Sequence, residues 1–435
     1  MIAGMYALGW TLGVFVLVLL LARFRVPLAV ALIAGSVVLG LAFDMSLIES
    51  IKCVAIGVIQ PKTLGLVVIT ALLLLVSGTM QAGGQMKRIV SLATALLGRP
   101  SITIAALPAI IGLLPMPGGA LFSAPMVESA AKDEKISGAR LSAINYWFRH
   151  IWEQWWPLYP GVIMALAISG LEITAWVPVM LPLGVASATV GFLMVRRSKF
   201  RRQEKSDIPA GTREAFIIST SSIWLILLVW AVAKGAMSVA IVENALARVG
   251  GIDQIKHFGP LGVGLVVSWA WTIKLNRLTG SQIRGVVMNK SIAVIIGLVA
   301  AVMIFQHVLG ETDAATKIGQ ELKQLRFPVT AIIALLPFIA GAVTGIAVGF
   351  VGTSFPIVVA LVPSEGPLIA YVALAYAFGH LGQLISPLHL CYVVSNRYFK
   401  TTYAPVYREM LPSACILAVI SAAYFMLLKT IMPIV

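Results

Sequence analysis

Charge is scarce in this chain. Asp, Glu, Lys and Arg make up 11% of its 435 residues, against about 25% in a water-soluble globule. With 59% hydrophobic residues, the composition excludes a soluble enzyme domain and indicates a polytopic membrane protein. Carboxylates are scarcest: 17 Asp and Glu face 32 Lys and Arg. The positive excess sits in short segments between apolar runs, where the positive-inside rule accounts for it, so no nucleic-acid partner is expected. Cysteine is rare as well, with Cys53, Cys391 and Cys415 sharing no C-x-x-C spacing. A disulfide framework is therefore unsupported, and the three read as small buried apolar residues. There is no H-E-x-x-H and no P-loop, which argues against a zinc protease and against ATP-driven pumping by this chain. No cofactor is expected and no metal ligand is assigned. No basic residue precedes the apolar run from Tyr6 to Leu21. It reads as a retained first helix, with Arg23 and Arg25 as its cytoplasmic flank.

What is present is a succession of apolar runs. Full crossings are expected over about 4–22, 26–46, 63–80, 140–170 and 173–195, then over about 214–233, 258–273, 290–308, 366–395 and 410–430. Two apolar stretches fit no simple span. Ser101 to Leu114 is too short for a bilayer and runs into Pro115-Met116-Pro117-Gly118-Gly119 before continuing to Val127; Pro328 to Leu361 carries Gly341, Gly345, Gly349 and Gly352 near its turn. Both read as re-entrant hairpins. Gln81–Gly98 and Thr312–Leu325, just ahead of them, mix charge with spaced Leu, Ile and Ala and read as interfacial amphipathic arms or as polar loops.

The two halves repeat. His150-Ile151-Trp152-Glu153 with Pro157-Leu158 answers His380-Leu381-Gly382-Gln383 with Pro387-Leu388. Ser123-Ala124-Pro125 answers Ser354-Phe355-Pro356, and Leu107-Pro108 answers Leu336-Pro337, with the offset always within one residue of 230. The expected fold is all-α, with two repeats of five crossings, each carrying one hairpin and one proline-broken helix. The first repeat occupies 1–195, a basic cytoplasmic linker 196–213, and the second repeat 214–435. Five crossings per repeat require the copies to be inverted. That arrangement puts most basic residues on one side, with both termini on the other.

The costly residues mark the candidate site. A charge at the centre of a membrane helix costs at least ~2.5–3.5 kcal/mol, so Arg149, His150 and Glu153 either pair internally or face a cavity. Arg149 and Glu153, four apart, can pair on one helical face. The functional alternative gives Arg149, His150 and His380 an anion to hold, and Glu153, His150, His380 and Gln383 an ion-coupling role. Pro157 and Pro387 remove backbone donors and predict two discontinuous helices at symmetric positions. Half-helix N-termini suit a carboxylate or phosphate, and freed carbonyls suit Na+. Gly118, Gly119, Ser123, Thr353 and Ser354 at the hairpin tips complete the candidate substrate site, with Thr344 a further hydroxyl; tight helix packing is their alternative reading. Trp147, Trp152, Trp155 and Trp156 form either an interfacial belt or aromatic walls around a ligand. His389 is either a second proton site or a polar helix end.

Leu113-Leu114-Pro115-Met116-Pro117-Gly118-Gly119-Ala120 and Asn145-Tyr146-Trp147-Phe148-Arg149-His150-Ile151-Trp152-Glu153 resemble a prokaryotic membrane-protein family carrying a domain of unknown function. It is identified as a member of the ion transporter superfamily, alongside gluconate, C4-dicarboxylate and citrate permeases. The resemblance implies an inverted-repeat elevator working as a homodimer, and transport of a small organic anion coupled to H+ or Na+. The hairpin tips read Pro117-Gly118-Gly119-Ala120 and Val351-Gly352-Thr353-Ser354 in place of the Ser-Asn-Thr signature of Na+-coupled carriers, so both coupling ions stay open. The expectation is a multi-pass secondary transporter of the inner membrane, not an enzyme. The alternatives are an intramembrane metalloenzyme using His150, Glu153 and His380, and a channel or non-transporting partner.

Overall fold

The computed structural model describes residues 6–97, 99–113, 115, 119–132, 134–198, 208–237, 252–314, 317–318, 320–321, 329–362 and 366–432. Among these residues every regular element is a helix. The first half runs α1 (Tyr6–Arg23), α2 (Leu28–Ala42), α3 (Leu47–Ile59), α4 (Pro61–Ala82), α5 (Gln85–Leu97), α6 (Pro100–Gly112), α7 (Ala120–Ala130), α8 (Gly138–Arg149), α9 (Pro160–Ser169) and α10 (Ile173–Arg196). The second runs α11 (Thr212–Met237), α12 (Ile252–Asn276), α13 (Gly280–Val287), α14 (Lys290–Glu311), α15 (Val329–Thr344), α16 (Ala347–Leu361), α17 (Leu368–Leu384), α18 (Leu390–Tyr398) and α19 (Tyr403–Ile431).

Seven helices among the described residues are long and apolar enough to cross a bilayer, and the chain is an integral membrane protein. Its outer surface agrees. Val16, Ile217, Leu228, Val232, Val419 and Met426 stand half or more exposed on α1, α11 and α19, as apolar side chains facing lipid do. By contrast α8, α9 and α17 are sheathed by other helices along nearly their whole length.

The expected crossings at 26–46 and 63–80 leave 47–62 unassigned. The chain forms α3 there, opened by a capping box in which Ser46 accepts from the Glu49 N–H and Glu49 accepts from the Ser46 N–H. Thr279 and Gln282 make the same box at the start of α13. Within Gln81–Gly98, α5 buries Gln85, Met86, Ile89, Val90 and Ala93 against α11 and leaves Lys87 and Arg88 exposed. Half of the Thr312–Leu325 stretch, and 199–207 of the basic segment, lie outside the described residues.

Packing between the halves is reciprocal. α2 lies on α14 while α12 lies on α4; α3 lies on α14 while α13 lies on α4. α7 packs on α18 and α16 on α9, and α19 on α8 and α10 on α17. Each pairing has a counterpart in which the two halves exchange roles. The helix pairs α6/α7 and α15/α16 pack back to back, and each leans on the helix that follows it, α8 or α17.

Candidate functional site

Two interrupted helices build the centre. α8 starts at Ser137, whose side chain accepts from the Arg140 N–H, and stops at Arg149. Residues 150–159 then run through a series of tight turns before Pro160 opens α9. α17 stops at Leu384, and residues 385–389 lead into α18. Pro157 and Pro387 lie within these two breaks, as their missing donors require.

Paired helices press on the chain at the first break and, within α17, ahead of the second. Gly112, ending α6, has no room for a Cβ because the Arg149 carbonyl oxygen occupies that space; Gly341 in α15 meets the Gly379 carbonyl in the same way. The Tyr159 hydroxyl donates to the Gly112 carbonyl. Gly345, at φ +66, turns the chain between α15 and α16 and abuts Ser386 and His389 in the second break. Glycine takes that backbone conformation at no steric cost.

Across the junction, residues 230 apart bond to one another's counterparts. The Tyr146 hydroxyl donates to the Gln383 carbonyl (3.2 Å) and the Tyr376 hydroxyl to the Glu153 carbonyl (3.0 Å). Between these bonds the Gln383 side-chain amide donates to Glu153 Oε2 at 2.5 Å. Glu153 Oε1 lies 3.8 Å from His150 Nε2. The sequence expectation that Arg149 and Glu153 share a helical face is thus corrected: the helix ends at Arg149, and the Glu153 carboxylate turns to His150 and Gln383. Arg149, 3% exposed, instead lays its guanidinium against Gly119 at the start of α7 and reaches the Cys391 thiol.

These groups line a cavity of about 230 Å³. Arg149, His150, Glu153, Tyr159, Gln383, His389 and Cys391 form its polar wall; Leu74 of α4 and Ile295 and Leu298 of α14 form an apolar wall, with Ile346, Ala347 and Val348 at the α15/α16 turn. The His150 and His389 rings meet edge to face with centroids 4.6 Å apart. His380 is fully buried behind them, within electrostatic reach of both, and neither of its ring nitrogens has a hydrogen-bond partner.

Other expected site residues stand further back. The Ser123, Thr353 and Ser354 hydroxyls return to carbonyls of their own helices, at Ala120, Gly349 and Phe350, and do not line the cavity; Thr344 bonds Ala340 likewise. Gly118 lies outside the described residues. The four tryptophans avoid the cavity too: Trp147 is buried and donates to the Ser187 carbonyl, and Trp152, Trp155 and Trp156 pack against one another tilted or edge to face. The sequence reading passed over Cys391, taken for a small apolar residue, and Tyr146, Tyr159 and Tyr376.

A family profile described as "Protein of unknown function (DUF401)" matches residues 7–241 and 262–428. The chain belongs to the DUF401 family. No curated protein matches its sequence. The fold of this DUF401 protein is shared with MtrF of Neisseria gonorrhoeae, at 13% identity and a TM-score of 0.54 over 89% of this chain and 85% of that one. MtrF is described as illuminating a class of antimetabolite efflux pumps.

Proposed function

We propose that this DUF401 protein is a secondary active transporter that moves a small organic anion, a carboxylate or sugar acid, across the inner membrane with H+ or Na+ as coupling ion. The observation that carries the reading is the cavity itself: a buried arginine on the wall made by two broken helices, facing a wall of Leu74, Ile295 and Leu298. A buried guanidinium recognises carboxylate geometry bidentately. The apolar wall offers no competing polar contact, so a polar site can slide past it, as an elevator requires. A volume of about 230 Å³ falls below the ~300–1,000 Å³ of drug-sized ligand sites, which favours a small substrate. The fold likeness to an efflux pump supports transport.

In this reading the chain is two inverted repeats, with α6/α7 and α15/α16 as re-entrant hairpins; the exchanged packing between the halves supports it. It keeps the ion transporter superfamily placement and the homodimer. Arg149 and the Gly118–Gly119 tip hold the anion. Glu153, His150, His380 and Gln383 exchange the coupling ion. Ser123, Thr353 and Ser354 would meet substrate only once the hairpins part.

The test is reconstitution in liposomes with an imposed pH or Na+ gradient, following labelled monocarboxylates, dicarboxylates and sugar acids. Gradient-driven flux of one class is expected, abolished in Arg149→Gln at equal, monodisperse protein. Unchanged flux in that variant removes Arg149 from the site. Flux indifferent to either gradient replaces the transporter with a channel.

A further inference from the structure

The polar wall brings together a set of side chains that anion recognition leaves unexplained. The ligand atoms of His150, His389 and Cys391 all lie within 4.8 Å of one another, and all three residues are buried. His150 comes from the first break, His389 ends the second, and Cys391 lies in the first turn of α18. We propose that these three residues bind a borderline-soft divalent metal ion, zinc foremost, clamping the two broken helices together.

Four observations carry this. The donor set is the one zinc selects: imidazole nitrogen with thiolate sulfur. The spacing suits it: Zn–N of about 2.0–2.1 Å and Zn–S of about 2.3 Å place tetrahedral ligand atoms roughly 3.3–3.6 Å apart. No pair therefore has to close by more than about 1.5 Å, a side-chain adjustment. His150 is already oriented as a ligand. Its Nδ1 lies 2.6 Å from the Tyr146 carbonyl, and a carbonyl only accepts, so Nδ1 carries the proton and Nε2 presents its lone pair. Metal-bound histidines are held in this manner by a backbone carbonyl. Finally, His389 Nδ1 is buried without a hydrogen-bond partner, a cost that metal coordination or a bonded ligand would remove.

Charge balance decides whether a cation can stand beside Arg149. Cys391 loses its proton on binding, and Glu153 adds a second negative charge 3.8 Å from His150 Nε2. Arg149, Glu153, the thiolate and a divalent ion then sum to one positive charge. The cluster would still attract an anion, and three protein ligands leave a tetrahedral position open to the cavity. Metal binding here does not depend on transport: with its Nε2 on the metal, His150 leaves exchange of the coupling ion to Glu153, His380 and Gln383, and the assays are separate.

Purified protein with Cys53 and Cys415 replaced by Ser is titrated with Zn2+ and, as a spectroscopic probe, Co2+. One ion per chain is expected, with a thiolate-to-Co2+ charge-transfer band in the near ultraviolet. Cys391→Ser should abolish the band, and His389→Gln should weaken Zn2+ affinity at least 10-fold, each with unchanged metal-free melting. A second readout leaves the cluster intact: Zn2+ should slow alkylation of Cys391 by N-ethylmaleimide at least 10-fold, whereas Mg2+ should not. Absence of stoichiometric Zn2+ or Co2+ binding, a Co2+ spectrum unmoved by Cys391→Ser, or alkylation indifferent to Zn2+ each overturns the site.

Discussion

Gly119 separates the site from the scaffold. Its backbone is right-handed helical (φ −57, ψ −16), so alanine adopts it without strain. The added Cβ lands on the Arg149 guanidinium, the far end of a flexible side chain, so the guanidinium gives way and the backbone stays. To recover ordinary contact it must retreat by roughly 1 Å, a displacement that costs positioned groups on the order of 100-fold. We expect Gly119→Ala to lose between ~10-fold and ~100-fold in apparent affinity for the transported anion, with a stability change within about 0.5 kcal/mol. Gly112→Ala and Gly341→Ala should do the reverse. Their Cβ atoms meet the backbone carbonyls of Arg149 and Gly379, which move only with their helices, at about 1–3 kcal/mol each. Gly297→Ala, with nothing within 4 Å of its Cβ, is the control and should gain about 0.5–1 kcal/mol from helix propensity. The assay pairs fluorescence-detected melting with concentration-dependent flux in liposomes. If Gly119→Ala melts as low as Gly112→Ala, or transports with wild-type affinity, the assignment of Arg149 to the anion fails.

Two further outcomes test the architecture. Tyr146→Phe and Tyr376→Phe each delete one hydrogen bond to the opposite half and should each cost about 0.5–1.5 kcal/mol; if one proves silent in melting experiments, the two bonds are not equivalents. A Cβ on Gly352 of α16 would sit 3.4 Å from Val302 Cβ of α14, at the short edge of the ~3.5–4.5 Å that a disulfide spans. Oxidised Gly352→Cys/Val302→Cys protein should therefore stop transporting and recover on reduction, and undiminished flux in fully cross-linked protein would refute movement of α16 against α14.

Much of this architecture was legible because it is written twice. The offset near 230 singled out His150 with His380 and Pro157 with Pro387, and the two helix breaks fall at those prolines. The same offset also relates Tyr146 to Tyr376 and Gly112 to Gly341, yet single tyrosines and glycines are too common in apolar helices to stand out before their contacts are seen. Once seen, they show how the halves interlock: a glycine in each preceding helix pair admits the carbonyl next to the repeated histidine, and Tyr146 and Tyr376 bond the Gln383 and Glu153 carbonyls of the opposite halves. Cys391 was illegible, and the role of His389 left open, for the opposite reason. Their counterparts at the same offset are Gly161 and Tyr159, so the repeat gives no signal there, and a lone cysteine in an apolar chain reads as filler. The departure from symmetry is itself informative. Where the halves agree they build the frame, with Glu153 and Gln383 meeting at its centre; where they differ, Arg149 against Gly379 and Cys391 against Gly161, they place on the cavity wall the charge and the soft ligand that a symmetric scaffold would lack.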